Sequence, residues 1–293
     1  MKMIHLVGQQ PMPILMAARQ WRADENVLVA THVTEVVARR VAQLLPGATV
    51  HMLTADEYNL KALSSEIGKL SAGDAVVFDI TGGTKMMALG MYNIASRRGI
   101  PLVYVQSDRK SLVHEYVFDE KGLSSTVHTP GELFTIDDYL RAHLPGYRAE
   151  GYHQESGRLS IGGRFEKAVA EILTSAGFEV LSGVRPENVG SQIEIDMVLR
   201  LGNRIAVAEL KKGFDGSPKT GFDQLSTAAS PTYLGTFTTK LLITGSRVSP
   251  ELRQMAKETK VAPISLTSYE DRIGFNRADE QELVAKVRKA LGV

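Results

Sequence analysis

The sequence predicts an α/β protein in two domains, and three observations support that reading. Short β-branched runs alternate with helix-length stretches through the first third; several of these runs are apolar on both faces; and near 130–160 the composition shifts before a second alternation begins. At 293 residues, 43% hydrophobic and 23% charged, the chain is too long for one small core.

In order, Met3–Val7, Asn26–Thr31, Thr49–Leu53, Asp74–Ile80 and Pro101–Gln106 read as strands, with helices over 11–20, 34–45, 56–70 and 85–98 between them. Runs such as Val27-Leu28-Val29-Ala30 and Ala75-Val76-Val77-Phe78 suit a parallel sheet covered by helices on both sides, a Rossmann-like pattern. Lys110–Glu120 and Gly122–His128 then form a terminal hairpin. The Gly, Pro and charged residues of 130–155 read as a connector holding one helix, Ile136–His143. The expected domains are therefore 1–129 and 156–293. In the second, a helix at Gly163–Ala176 precedes strands at 178–182, 192–200, 204–211 and 239–244, with helices near 217–229, 249–258 and 278–291.

Composition excludes several function classes. With 34 Lys+Arg against 33 Asp+Glu no global basic field exists, so any nucleic acid must be held in a local groove. The absence of cysteine removes disulfide scaffolds, thiolate zinc sites and cysteine nucleophiles. No secretory core or membrane span is visible, and a cytoplasmic protein is expected.

Two places carry chemistry. On the strand Glu194-Ile195-Asp196-Met197, alternation puts Glu194 and Asp196 on one face. Glu209 and Lys211, two apart on the next strand, lie beside them if the strands pair. Upstream, Glu166 shares a helical stripe with Val169, Ala170 and Leu173, where a carboxylate needs a charged partner or a metal. Such a cluster suits Mg²⁺ or Mn²⁺, with Asp196, Glu209 and the Leu210 carbonyl as the protein's ligands and Lys211 orienting water or stabilising negative charge. An ExK on a strand is by itself more often a solvated surface.

In the first domain, the fourth strand runs into Thr81-Gly82-Gly83-Thr84-Lys85 and a helix. Two glycines, hydroxyls, an ammonium and free helix N–H groups make a phosphate cradle. It is neither GxxxxGK[ST] nor GxGxxG, which argues against a nucleotide hydrolase loop or a nicotinamide enzyme. Ligands of open parallel sheets bind beyond the strand carboxyl ends, which gathers Gly8, Gln9, Gln10, Pro11, Thr31, His32, Thr81, Gly82, Gly83, Thr84, Lys85 and Gln106 on one rim. Met86 and Met87 read as helix packing, Trp21 as a packing or interface residue, and His32 as either a helix cap or a ligand contact.

The ordered set of helix Glu166, strand Asp196 and strand Glu209-Leu210-Lys211 resembles the PD-(D/E)xK nuclease superfamily, of restriction-endonuclease-like fold, although Ile195 stands where that family has proline. The resemblance implies Glu166, Asp196, Glu209 and Lys211 as catalytic residues, with Gln224 on the following helix assisting. LVGQQPMPIL and DITGGTKMMALG resemble the CRISPR-associated Rossmann fold, or CARF, sensor domain. Together the two halves resemble the type III CRISPR ancillary nucleases of the Can and Card group. That resemblance implies a homodimer serving antiviral defence: an allosteric endonuclease switched on by cyclic oligoadenylate, the tetra-adenylate for preference, that cuts DNA, RNA or both. Rival readings are a non-catalytic sensor or nucleic-acid-binding regulator, and a ligand-independent repair or restriction nuclease. The intact Asp, Glu and Lys argue against the first, and the Thr81–Lys85 cradle against the second.

Overall fold

The computed structural model describes residues 1–73, 75–107, 111–120, 122–187, 194–213, 225–227, 233–235 and 238–293. These form two compact units, Met1–Phe134 and Thr135–Val293.

The first unit comprises β1 (Lys2–Leu6), α1 (Met12–Trp21), β2 (Glu25–Ala30), α2 (Glu35–Ala42), β3 (Ala48–Met52), α3 (Leu60–Leu70), β4 (Val76–Asp79), α4 (Lys85–Arg98), β5 (Leu102–Gln106), β6 (Leu112–Asp119) and β7 (Gly122–His128). Its seven-stranded sheet has the order β3-β2-β1-β4-β5-β6-β7. The first five strands are parallel, and the β6–β7 hairpin extends the sheet antiparallel, as expected. Alternate residues supply two cores. Ile4, Leu6, Val27, Val29, Phe78 and Leu102 pack with Met87 and Met91 of α4 and Leu63 and Ile67 of α3. Met3, Leu28, Val103 and Val105, one residue out of phase, are buried on the opposite face, where α1 lies against β5. The order in which strands are added reverses between the parallel neighbours β1 and β4, so their carboxyl ends flank a topological switch point.

The second unit comprises α5 (Ile136–His143), β8 (Tyr147–Ala149), β9 (Gln154–Glu155), β10 (Arg158–Leu159), α6 (Ile161–Ser175), β11 (Glu179–Pro186), β12 (Ile195–Leu201), β13 (Arg204–Lys211), β14 (Thr239–Thr244), α7 (Pro250–Thr259), β15 (Val261–Ser265) and α8 (Arg277–Leu291). Its six-stranded sheet runs β15-β14-β13-β12-β11-β8, parallel from β13 to β15 and antiparallel elsewhere. One face packs Met197, Leu199, Ala206, Ala208 and Leu210 against Val169 and Leu173 of α6 and Leu283 and Val287 of α8.

Several elements differ from the sequence reading. The stretch 130–155 is not a free connector: α5 and β8 belong to the second unit, with β8 paired to β11 and the Tyr139 hydroxyl bonded to the Leu234 carbonyl and, at 2.7 Å, to Thr238 Oγ1. Helix α6 begins at Ile161, two residues early, because Ser160 takes the N-cap and accepts the Gly163 N–H. Strand β15 is absent from the sequence reading because Val-Ala-Pro-Ile-Ser contains Pro263; β15 is an edge strand, where the missing N–H is tolerated. The helix expected near 217–229 falls almost wholly outside the described residues.

Candidate functional site

In the second unit the expected residues converge where two strands part. Pairing of β12 with β13 stops at Met197 opposite Ala208. Beyond it β12 stays with β11 as far as Ile195 opposite Val184, and β13 stays with β14 as far as Lys211 opposite Thr244. In this fork the Leu210 N–H goes to Asp196 Oδ2 at 2.7 Å, and Lys211 Nζ lies 2.7 Å from Glu209 Oε1. Glu166 reaches the same cleft from α6, its Oε2 accepting the His153 N–H at 3.1 Å. The cleft, about 700 Å³, is lined by Glu166, Glu194, Asp196, Leu210, Lys211 and Lys212 among others.

Burial dominates the electrostatics. Glu209 is 2% exposed, and burial, with further repulsion from Glu166 and Glu194, raises its carboxyl above the ordinary range even though Lys211 pulls it down. Burial and then the Glu209 charge likewise push Asp196 up, against the Leu210 N–H. Glu166 is raised by burial, partly offset by the His153 N–H. Burial would lower Lys211, but Glu209, Asp196 and Glu166 together outweigh it and hold the ammonium protonated. Glu194 differs from this cluster in its bonding: Arg185 Nη2 pairs with it at 2.7 Å.

The donor set suits a hard divalent cation. Two mutually repelling carboxylates, Glu209 buried and Asp196 half-buried, gain from one, and although Lys211 pairs with it, Glu209 Oε1 makes no hydrogen bond within ordinary geometry. Among the described residues no three His, Asp or Glu side chains form a ready cage. An Mg²⁺ or Mn²⁺ site needs only one or two carboxylates, the remaining ligands being carbonyl, water and phosphate oxygens. Gln224 lies outside the described residues.

In the first unit, parallel strands bring Gly8, Thr31, the Thr81–Lys85 turn and Gln106 to one sheet edge. At the switch point Gly8 and Gly82 meet backbone to backbone: a Cβ on Gly82 would stand 2.1 Å from the Leu6 carbonyl oxygen and 2.6 Å from Gly8 N. Gly83 has φ +71°, which also favours glycine. Thr84 caps α4 by accepting the Met87 N–H at 3.2 Å, leaving exposed Lys85 as the first helical residue. Gln9 and His32 are also exposed, Gln10 and Gly8 half-buried, and Pro11 buried at the start of α1. His32 does not cap α2, whose N-cap position is Thr34. Thr31 is buried, its N–H given to Thr34 Oγ1. Gln106 Oε1 meets His114 Nε2 at 3.2 Å. Trp21 packs edge-on to His128 at 5.4 Å, and Met87 is fully buried.

Thr81 also has a role inside the fold. Its hydroxyl donates to Asp79 Oδ1 at 2.6 Å and accepts the Val105 N–H at 2.8 Å, so its proton is committed inside the fold. Behind it lies a buried relay that sequence reasoning missed: Asp79 Oδ2 meets His5 Nδ1 at 2.9 Å, and His5 Nε2 meets Asn26 Oδ1 at 3.1 Å. Both Asn26 amide hydrogens face carbonyls, of Pro46 and Ala23, which fixes the amide orientation. All three side chains have 0% exposure. The polar residues in otherwise apolar strand runs were the available signal.

No protein-family model matches the chain, and no curated protein matches its sequence. Solved structures do match. Can2 from Sulfobacillus thermosulfidooxidans in complex with cyclic tetra-adenylate is similar over 99% of both chains, at 14% identity and a TM-score of 0.76. Protein VC1899 from Vibrio cholerae is similar over 99% of this chain and 97% of that one, at 13% identity and a TM-score of 0.72. A type III CRISPR defence DNA nuclease activated by cyclic oligoadenylate matches 96% of this chain and 51% of its own length, at 15% identity and a TM-score of 0.62. The chain has the α/β fold of these proteins, with a Rossmann-like sheet in one unit and a restriction-endonuclease-like sheet in the other.

Proposed function

We propose that the protein is a metal-dependent endonuclease of type III CRISPR defence, activated by cyclic oligoadenylate bound in its first unit and cutting DNA, RNA or both in its second. The observation that carries the reading is the fork between β12 and β13, which brings Lys211, Glu166 and half-buried Asp196 to one cleft, with buried Glu209 paired to Lys211 beside it. The fold shared with Can2 and with a cyclic-oligoadenylate-activated DNA nuclease supports it.

Asp196, Glu209 and the Leu210 carbonyl would hold Mg²⁺ or Mn²⁺. Bound there, the cation supplies a water of lowered pKa and neutralises charge on the phosphodiester. Lys211, kept protonated by its carboxylate neighbours, offers a hydrogen bond to the attacking water or to the extra negative charge of the transition state. Glu166, fixed by the His153 N–H, orients water on the helix side of the cleft.

In the first unit the Gly8–Gly82 contact opens the switch point for a phosphate, with Lys85 and the N-terminus of α4 facing it. A homodimer is supported by an exposed apolar face of Leu89 and Tyr92, one turn apart on α4, with Leu123 and Val127 of β7, joined by half-buried Phe118, which packs against Tyr92 and lies opposite Leu123. A second copy covering that face would set two rims side by side for a two-fold ring. The deciding experiment offers single- and double-stranded DNA and RNA to purified protein, with Mn²⁺ or Mg²⁺ and with or without each cyclic oligoadenylate. Cleavage is expected only with metal and one ring size together; no cleavage under any combination overturns the reading.

A further inference from the structure

His153 stands just before β9, exposed on the cleft, yet both its backbone and its ring are held. Its carbonyl accepts the Ser160 N–H at 3.1 Å, and its own N–H goes to Glu166 Oε2 at 3.1 Å. Ring Nδ1 lies 2.8 Å from Oγ of Ser160, the buried N-cap of α6. Helix α6 approaches so closely that a Cβ on Gly163 would stand 2.0 Å from the His153 carbonyl oxygen. The first turn of α6 thus fixes an exposed imidazole, and the cap spends only one of its nitrogens. With Nδ1 turned to Ser160, Nε2 is the nitrogen left for the cleft, and no described residue bonds to it.

We propose that His153 is a substrate-contacting residue: its Nε2 donates a hydrogen bond to a phosphate oxygen of the nucleic acid lying in the cleft. The inference rests on the nuclease reading of that cleft. Phosphate fits because it only accepts, and because the lysines lining the cleft already have neighbours in the fold, which leaves a phosphate away from the reacting one to a further donor. Lys211 is paired with Glu209, and Lys212 Nζ sits 5.7 Å from the centre of the Tyr269 ring. A fixed donor loses little freedom on binding, which is the advantage of clamping the ring beforehand.

The test uses two variants of the full chain. His153→Asn keeps a polar atom near Nδ1 for Ser160 but lacks the outer nitrogen, whereas His153→Gln restores an amide at that depth. With activator and Mn²⁺, His153→Asn is expected to raise KM for nucleic acid about 10-fold or more with a smaller change in kcat, and His153→Gln to recover much of the loss. Nucleic-acid affinity measured by anisotropy in the Asp196→Asn background should fall by the same factor. Unchanged KM and affinity in His153→Asn overturn the assignment while leaving the nuclease reading intact. A loss confined to kcat and equal in both variants also overturns it, since that is what holding Glu166 alone would produce. Wild-type protein that neither binds nor cuts any nucleic acid overturns both.

Discussion

Asp196 Oδ2 accepts the Leu210 N–H at 2.7 Å, so a side-chain carboxylate stands where the next rung of the β12–β13 ladder, Ile195 opposite Leu210, would have been. The strands stop pairing and the carboxylate is pinned by one event. Substitution here acts on the sheet as well as on the chemistry.

Asp196→Asn and Glu209→Gln are expected to abolish metal-dependent cleavage, with Asn still able to accept the Leu210 N–H and keep the fork folded. Lys211→Ala should leave metal binding in place and lower kcat, because a protonated ammonium cannot ligate a cation but can stabilise charge in the transition state. Calorimetric Mn²⁺ titration beside single-turnover cleavage separates these cases. Full activity of Asp196→Asn in saturating metal, or of wild type in EDTA, removes the assignment.

The metal-free fold should lose stability as pH rises. Burial first, and Glu209 second, push the Asp196 carboxyl from its ordinary value near 3.8 up to about 8, so across that window the folded state holds a proton that the unfolded chain has released. More protons bound in the folded state means a midpoint that falls with increasing pH, and Asp196→Asn should flatten the slope. Metal displaces the proton and should bind more tightly at higher pH. Melts in EDTA from pH 5 to 9 check the sign; a wild-type midpoint that climbs, with the same profile in Asp196→Asn, contradicts it.

Adjacent glycines on α6 should respond oppositely to alanine. A Cβ on Gly162 meets only Ser160 Oγ at 3.6 Å, so Gly162→Ala is expected to be neutral or to stabilise by up to about 1 kcal/mol. On Gly163 it would stand 2.0 Å from the His153 carbonyl, so Gly163→Ala must displace the segment that holds Glu166 and should lower both the melting midpoint and kcat. Equal behaviour of the two variants would show that α6 does not press on His153.

Lys85→Ala is expected to weaken cyclic oligoadenylate binding by about 1.5–3 kcal/mol, the range for a hydrogen bond to a charged group, and activity should largely return at saturating activator. Thr81→Val is expected to weaken it indirectly, by leaving Asp79 Oδ1 and the Val105 N–H without the hydroxyl that joins them. Equal affinity of Lys85→Ala and wild type in calorimetry moves the ligand elsewhere.

Local pattern made much of this legible. Short runs apolar on both faces marked the first sheet, and the two-residue spacing of Glu209 and Lys211 put them on one side of their strand. What escaped is what spacing does not encode. His5 and Asp79 are separated by 74 positions, and only the β1–β4 register makes them neighbours. His153 lies in a Gly-rich run whose composition resembles a linker; its place is set by a helix cap seven residues on. Pro263 hid β15 because a strand reading penalises proline without knowing which strand is the edge.

The Asn26–His5–Asp79 relay also bears on how this sequence can change over generations. Each member satisfies polar atoms of the next in a region with no exposure to water, so replacing any one leaves an orphaned group that costs about 1–3 kcal/mol, more if the group is charged. Replacing all three together by apolar residues of similar shape would leave far less to satisfy, but the intermediate steps lie on a slope of lost stability. The trio is therefore expected to be inherited or lost as a block. Among sequences descended from a common ancestor with this one, substitutions at 5, 26 and 79 should covary, even where the rim residues they support have diverged.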